Sequence, residues 1–530
     1  MINKKWQVWL PLVFSLVMIA GMFFGFRLHQ QTGGKQGFFA REQRSSLQEA
    51  IDLIRSKYVD KVKIDSLQDN AMDGLMNQLD PHSVYIPNRD VAEANEDITG
   101  NFQGIGVEFN IFSDTVNVLY VVPGGPADKA GLQIGDRIIK VDDSSVVSKT
   151  LPSDEIRRMI RGSGGSRVKL SVLRNNTVQY FYVTRGTIPL PSLDAAYMIS
   201  AGNGYIRLNK FSETTYQEFM RALEDLQAQG MKSLMLDLRG NGGGLVNQAV
   251  FIADEFIAGS NLIVYTEGTN SEKREYRAQK EGMFEKGKLV VLVDELTASA
   301  SEILAGALQD LDRATIVGRR SFGKGLVQEQ YPLTDGSAIR LTVARYFTPL
   351  GRSIQRPYDK GKKVYMDDLL ERYHSGEMIN PDSIHLSKEK VYSTKGGRKV
   401  YGGGGIMPDV FVPIDTSMYT QSITKLYLDG RFNNYVYHFY MDNRAALAVY
   451  KTPAEFAQKF VSTETAWKGL VDFARKDSIN LGVIPERDKV EVQNRIRAYL
   501  ARLRWRTSGF YQVANSTDRV VQKGLEALGQ

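Results

Sequence analysis

The sequence predicts an α/β protein of several domains, and three observations carry that prediction. Short apolar runs at residues 234–238 and 288–293 each lead through a turn of small residues into a segment of helical spacing, the alternation that builds a mainly parallel sheet. Residues 99–186 are a separate β-rich stretch in which glycine turns divide alternating apolar runs. The chain has 530 residues, too many for one hydrophobic core and enough for about three or four domains.

Composition narrows the class. Apolar residues make up 42% and charged residues 24%, as in a folded globular protein. The net charge of +7 is small for this length, and no basic run carries interleaved aromatics, so nucleic acid is not an expected partner. The chain has no cysteine, which excludes a thiol nucleophile, thiolate metal ligands and disulfides. His29, His82, His374, His385 and His438 do not stand at metal-ligand spacing, so no metal site is expected and no cofactor is implied.

Residues 8–26 form a run of 19 residues without a charge. At ~1.5 Å per residue a helix of that length spans about 28 Å, close to the hydrocarbon core of a bilayer. Lys4 and Lys5 precede the run and predict a cytoplasmic N-terminus. A cleaved signal peptide is the alternative, but no Ala-x-Ala site follows. Residues 1–30 are therefore expected to be a retained single-pass transmembrane anchor in the inner membrane. The rest of the chain is then extracytoplasmic, in a periplasmic setting.

Residues 31–98 are expected to be a polar tether (31–44) followed by helices. Ser46-Leu47-Gln48-Glu49 is a capping box, and Leu47, Ile51, Ile54 and Tyr58 follow at helical spacing. Leu67, Met72, Leu75 and Leu79 continue that pattern. In residues 99–186, Gly104-Ile105-Gly106-Val107 opens a strand pair completed by residues 116–122, a short helix from Pro126 closes at Gly131, and Gly135-Asp136 turns into the next strand. Arg161 is a candidate link from this module to the following one.

Residues 187–413 begin with a strand at 204–208 and a helix at 216–229 that carries Phe219, Leu223 and Leu226 on one face. The strand at 234–238 ends in the turn Gly240-Asn241-Gly242-Gly243-Gly244, and a helix follows at 245–256. That turn lacks the Gly-x-Gly-x-x-Gly spacing of a dinucleotide loop. The glycines at 402–405 read as a flexible loop or turn. Residues 414–530 are expected to be helical, with Thr452-Pro453-Ala454-Glu455 as a helix start and Val492, Ile496, Leu500 and Leu503 along one face. The basic stretch 495–506 reads as a solvated helix face, an acidic partner or lipid head groups being the alternatives.

The chemistry concentrates in Ala298-Ser299-Ala300-Ser301-Glu302 and Gly323-Lys324-Gly325. Ser299 stands where a buried strand turns into a helix bearing Ile303, Leu304, Ala307, Leu308 and Leu311 on one face. The first amides of that helix lack internal partners, and its dipole favours negative charge, so an attacking serine and its oxyanion both benefit. Lysine is a base only when neutral. Reaching that state near neutrality takes a pKa fall of ~3 units, which burial among apolar groups supplies. Lys324 lies 25 positions after Ser299 between apolar neighbours, with glycines that permit close approach. Without more, the same residues also read as an ordinary helix cap and a solvated loop.

These blocks resemble the signature of the carboxy-terminal processing, or tail-specific, serine proteases. The resemblance implies that Ser299 is the nucleophile, Lys324 the base and Gln328 the residue that orients the lysine. Further blocks resemble that family in the same order: Leu79-Asp80-Pro81-His82-Ser83-Val84-Tyr85, Asp237-Leu238-Arg239-Gly240-Asn241-Gly242-Gly243-Gly244, Tyr346-Phe347-Thr348-Pro349-Leu350-Gly351-Arg352 and Gly405-Ile406-Met407-Pro408-Asp409-Val410. Gly242 stands where proline is frequent in the family. The match runs from about residue 45 to 412 by block order. It implies a crotonase-like and ClpP-like α/β core and an N-terminal helical region that supports assembly into a homo-oligomer, two helices packed on the core being the alternative. The glycine turn itself reads as a backbone donor for the oxyanion, Gly243 beside the amide of Ala300. Residues 99–186 resemble a PDZ domain. That implies backbone amides of Gly104, Ile105, Gly106 and Val107 holding the carboxylate of a protein or peptide with a free, apolar C-terminus. The expected function is a membrane-anchored serine endopeptidase with a Ser-Lys dyad that processes protein C-termini. A non-proteolytic PDZ scaffold and a crotonase-type acyl-thioester enzyme are the alternatives.

Overall fold

The computed structural model describes residues 4–31, 46–112, 114–147, 151–384, 391–415, 420–460 and 463–529, so nearly all of the expected tether lies outside the described residues. The chain divides into two compact units, Met1–Met72 and Asp73–Gln530. In the first, helix Lys4–Gln31 contains the uncharged run, and its described side chains, Phe14, Val17 and Phe24 among them, are exposed. Among the described residues no helix is long and apolar enough to cross a membrane, so the expected span is not found there. The side chains of Leu10 and of both ends of this helix lie outside the description. Helices Ser46–Lys57 and Ile64–Asn77 form in the expected segments; Ile51 is buried, but Leu47 and Leu75 of the expected apolar stripes are exposed, and Tyr58 and Leu79 lie beyond the helix ends.

Within the second unit, residues 99–186 form an antiparallel sheet in the order Val107–Phe112, Thr115–Val121, Arg137–Val141, Arg167–Arg174 and Thr177–Thr184, with Ser144–Ser145 also paired to Arg137–Val141. Strand alternation sends Val116, Val118, Ile138, Leu170 and Val172 into one core with Ile156 and Ile160 of helix Ser153–Ile160. Val107–Phe112 is one edge strand of the sheet and Thr177–Thr184 the other. The chain enters and leaves this module through the ribbon Asn101–Gly104 against Gly186–Pro189.

A six-stranded sheet follows, in the order Leu193–Ser200, Asn203–Leu208, Ser233–Asp237, Leu289–Val293, Thr315–Gly318 and Val410–Phe411. The first pair is antiparallel and the rest are parallel. Every residue of Leu289–Val293 is buried, as a strand covered on both faces requires. Helices Thr215–Ala228, Val246–Asp254 and Ala300–Asp310 cover one face. Val520, Val521 and Leu528 of helix Arg519–Leu528 pack with Tyr205, Met235, Val290 and Leu292 on the other. A second sheet joins Val84–Ile86, Ala338–Phe347, Leu262–Gly268 and Ser271–Arg277, and Leu326–Pro332 also pairs with Ala338–Phe347.

The C-terminal region is helical around its own core of Phe432, Tyr435, Phe456, Trp467, Leu470 and Ile496. Thr452 Oγ1 accepts the Glu455 N–H at 3.1 Å, the predicted cap. The basic stretch is not the solvated face its spacing predicts. Arg502 donates to Glu108 at 2.7 Å, and Arg506 reaches the same carboxylate while its guanidinium lies 3.6 Å over the Tyr120 ring. Arg504 donates to the Tyr450 carbonyl at 2.8 Å. The acidic partner is a strand of the same chain almost 400 positions earlier, which no local pattern reveals. Arg161 links its module to helix Asn88–Thr99, donating to Glu96 at 2.8 Å and stacking 4.4 Å from Phe102. That helix in turn holds Lys210 through Asp97 at 2.8 Å. The glycines at 402–405 form a pinned turn, since Gly405 donates to the Ile354 carbonyl at 2.8 Å and Arg320 donates to the Gly404 carbonyl at 2.7 Å.

Candidate active site

Ser299 is the residue before helix Ala300–Asp310 and holds φ 57°, ψ −116°. A β-carbon makes positive φ costly, and such strain persists where the surroundings over-determine it. Here they do: the Ala298 N–H and the Ser301 hydroxyl both donate to the Asn241 carbonyl at 3.0 Å, and Thr297 Oγ1 donates to the Leu238 carbonyl at 2.9 Å. The Glu302 N–H goes to the Ser299 carbonyl at 2.8 Å, and Ser299 and Glu302 face each other as the two ends of a capping box at the helix start.

Glu302, fully buried, brings the Ser299 and Lys324 segments together. One carboxylate oxygen accepts the N–H of Ser299 at 2.9 Å and of Lys324 at 2.9 Å; the other accepts the Gly323 N–H at 2.7 Å and the Ser321 hydroxyl. Burial drives its carboxyl above the ordinary range against the pull of these donors. Tyr346 closes the opposite side, its hydroxyl lying 2.7 Å from the Lys324 carbonyl and 3.1 Å from that of Ser299. Sequence patterns assign neither residue this role, although Glu302 is also part of the helix start that its motif predicts.

Lys324 Nζ donates to Gln328 Oε1 at 2.9 Å. Burial holds the lysine below its ordinary pKa, and the charge of Arg340 adds to that, against the opposing pull of Asp80 and Glu302. Gln328 Nε2 donates to the His82 carbonyl at 2.5 Å, so the Leu79–Tyr85 block reaches the site.

Of the two expected oxyanion donors, the Ala300 N–H has no partner among the described residues. The Gly243 N–H donates to Asn241 Oδ1 at 2.9 Å, although Gly243 itself packs against Ser299. The glycine turn is held from beneath. Asp237, fully buried, accepts from Arg207 at 2.8 Å, Arg239 at 2.6 Å and Tyr205 at 2.6 Å. Burial raises its carboxyl, and Arg239 and Arg207 more than offset this, so it lies below its usual range. Arg239 also donates to Asp518 at 2.8 Å, tying the turn to the C-terminal helix.

Gly104, Ile105, Gly106 and Val107 lie apart from this cluster, where the ribbon meets the edge strand. The Ile105 and Gly106 carbonyls accept from Ala127 at 2.8 Å and Val122 at 2.9 Å. The amides of Ile105 and Gly106 have no partner among the described residues. The Ile105 side chain is buried in the module's core rather than lining an open pocket, while Val107 is half-buried. Among the described residues no group of His, Asp and Glu could hold a metal ion.

The peptidase family S41 model matches residues 202–361, a PDZ domain model residues 118–174, and the activating protease CtpB N-terminal domain model residues 21–89. A family of unknown function matches residues 422–506. The carboxy-terminal processing protease CtpA of Bacillus subtilis is 33% identical over 396 residues, covering 74% of this chain and 82% of that protein. The carboxyl-terminal-processing protease of a Synechocystis species is 41% identical over 265 residues, 49% of this chain and 61% of that protein. Among solved structures, the photosystem II D1 C-terminal processing protease is 27% identical, with 70% of this chain and 87% of that one covered and a TM-score of 0.35.

Proposed function

The chain belongs to the carboxy-terminal processing serine proteases of peptidase family S41 and carries a PDZ domain; from that premise we propose that Ser299 is its nucleophile, Lys324 its general base and Gln328 the residue that orients the lysine. The observation that carries the proposal is the Glu302 carboxylate, bonded at 2.9 Å to the backbones of both Ser299 and Lys324. Neutral Lys324 takes the hydroxyl proton as Ser299 Oγ attacks the scissile carbonyl carbon. The Ala300 N–H faces the developing oxyanion, and a second donor becomes available when the Gly243 N–H leaves Asn241. Collapse expels the amine, which takes the proton from Lys324. Water then hydrolyses the acyl-enzyme, with Lys324 again as base.

Substrate choice rests on the edge strand Val107–Phe112 and the open amides of Ile105 and Gly106, which suit an added peptide strand ending in a free carboxylate. Apolar C-termini are the preferred class, Val107 being the near apolar side chain. The uncharged run at 8–26 behind Lys4 and Lys5 supports a membrane anchor with the catalytic part outside the cytoplasm, and N-terminal sequencing of the mature protein tests it. The division proposed is anchor 1–30, tether and helices 31–98, PDZ domain 99–186, protease core 187–413 and helical region 414–530, with homo-oligomer assembly through 31–98.

The deciding experiment compares the purified full chain with its Ser299→Ala and Lys324→Ala forms on a protein substrate with a free apolar C-terminus. Both variants are expected to be folded and inactive. Full activity in Lys324→Ala would assign the base elsewhere.

A further inference from the structure

Gln328 has two hydrogen-bond partners, and together they fix which way its amide faces. Lys324 Nζ can only donate, at 2.9 Å to Oε1, and the His82 carbonyl can only accept, at 2.5 Å from Nε2. A flipped amide would set donor against donor at the lysine and acceptor against acceptor at the carbonyl. The orientation of Lys324 therefore depends on where the His82 carbonyl is held, 246 positions away in sequence.

That carbonyl is held firmly. Asp80 Oδ1 accepts the N–H groups of His82 at 2.8 Å and Ser83 at 2.9 Å, and Asp80 Oδ2 accepts the Ser83 hydroxyl at 2.5 Å. Ser83 Oγ accepts the Thr342 N–H at 3.1 Å, and Thr342 is the residue that faces Gln328 across the strand pair, beside a register shift at Val327 and Gln328. The turn is thus stitched to the strand opposite the glutamine it positions. The His82 ring supplies a second anchor. It lies 2.8 Å from the Tyr365 hydroxyl and packs edge-on to Tyr365 and tilted against Phe322, two residues before Lys324. Arg356 stacks at 3.9 Å on both of those rings. Burial and the charge of Lys324 lower the His82 pKa to about 4, so the ring is neutral beside the base.

We infer that the Asp80–His82–Ser83 turn is a positioning element of the catalytic dyad: through its carbonyl it holds Gln328, and through Gln328 it directs Lys324 at Ser299. The inference rests on the Ser299–Lys324 reading above. Asp80, Ser83 and the His82 backbone act on the lysine without touching substrate. One N–H of the neutral amine stays on Gln328 Oε1, which leaves its lone pair for the serine proton. Without the turn, Gln328 regains rotamer freedom, and the amine loses that direction with no change in the substrate groove.

The test uses the full chain and a short internally quenched peptide amidated at its C-terminus, so that PDZ binding does not enter. Asp80→Ala is expected to lower kcat by about tenfold or more with KM unchanged, the size of a misplaced catalytic group. Asp80→Asn keeps an acceptor for both N–H groups and an amide to meet the Ser83 hydroxyl, and is expected to restore most of the rate. The decisive comparison repeats these variants in a Gln328→Ala background. If the turn acts through Gln328, Asp80→Ala has no further effect there. An equal kcat loss in both backgrounds, or an unchanged kcat in Asp80→Ala alone, overturns the inference. If Asp80→Ala does not fold, Ser83→Ala opens the same turn from its other side and is read in the same two backgrounds. Activity retained in Ser299→Ala or Lys324→Ala removes the dyad, and this inference with it. Inactive dyad variants with additive Asp80 and Gln328 effects remove this inference alone.

Discussion

Gly243 and Ser299 touch through the space that a side chain on the glycine would need. A Cβ on Gly243 would stand 2.8 Å from the Ser299 Cβ, 2.7 Å from the Ala298 carbonyl oxygen and 2.9 Å from the Ala300 nitrogen. Gly243 also holds φ +97°, which a β-carbon disfavours. Gly243→Ala must therefore push Ser299 or the Ala300 amide off its position. A fall in kcat of about 100-fold or more is expected, the scale of a lost oxyanion donor. Steady-state kinetics beside a melting curve checks it, and a folded variant of normal activity would separate the glycine turn from catalysis.

Ser301 is the control for the nucleophile's register. It is fully buried, and its hydroxyl serves the Asn241 carbonyl at 3.0 Å. Ser301→Ala is expected to lose about 1 kcal/mol of stability, the net worth of one such bond, while keeping activity within about tenfold of the parent. An inactive Ser301→Ala beside an active Ser299→Ala would shift the assignment by two residues.

Arg340 depresses the Lys324 pKa by charge, after the larger effect of burial. With Lys324 as the proposed base, the rate is expected to rise with pH as the lysine loses its proton, because only the neutral amine is a base. Arg340→Gln removes a nearby positive charge, so the rising limb of the pH–rate profile is expected to move to higher pH. A limb that stays in place or moves to lower pH would show that Arg340 does not act on the base.

The same depressed pKa has a consequence for stability. Between the folded pKa and the ordinary value of about 10.4 the unfolded chain binds more protons, so stability rises with pH there. The burial penalty is complete below the folded pKa. Lys324→Met is therefore expected to be inactive yet to melt no lower than the parent at neutral pH. A clear fall in melting temperature would mean that the charged lysine stabilises the fold.

Glu108 on the edge strand is shared by Arg502 and Arg506 from the C-terminal region. All three side chains are partly exposed, so the coupling measured by a Glu108→Ala and Arg502→Ala double-mutant cycle is expected to reach about 1 kcal/mol at most. The readout that matters is selective. Cleavage of a long substrate that engages the PDZ domain should change more than cleavage of a short peptide. Equal effects on both would confine the contact to stability.

Amidation of a long substrate's C-terminus removes the carboxylate and keeps the side chain. Cleavage is expected to slow by roughly tenfold or more, since a charge-assisted hydrogen bond is worth about 1.5–3 kcal/mol. Short peptides that reach Ser299 directly should respond less. Equal rates for free-acid and amidated long substrates would argue against the C-terminal reading and leave the serine–lysine chemistry standing.

What the sequence determined by itself is local. The buried run that became strand Leu289–Val293, the helix after Ser299, the cap at Thr452 and the order of the glycine turns all follow from spacing over a few residues, where backbone geometry dictates pattern. The resemblance to the family singled out Ser299 and Lys324 as the candidate pair, because the motif carries the chemistry. What only the tertiary structure decided is what holds those residues in place. Glu302 is part of the helix start its motif predicts, yet only the fold brought the Lys324 backbone to the same carboxylate, and His82 had no assigned role until strand pairing brought its carbonyl to Gln328. Arg502 and Arg506 read as solvated until Glu108 met them, and nothing near Asp518 announced that it would hold Arg239 beneath the glycine turn. Each of these contacts joins segments far apart in the chain. A hydrogen bond or ion pair depends on distance and direction in space, and a one-dimensional pattern encodes neither once the chain has turned back on itself.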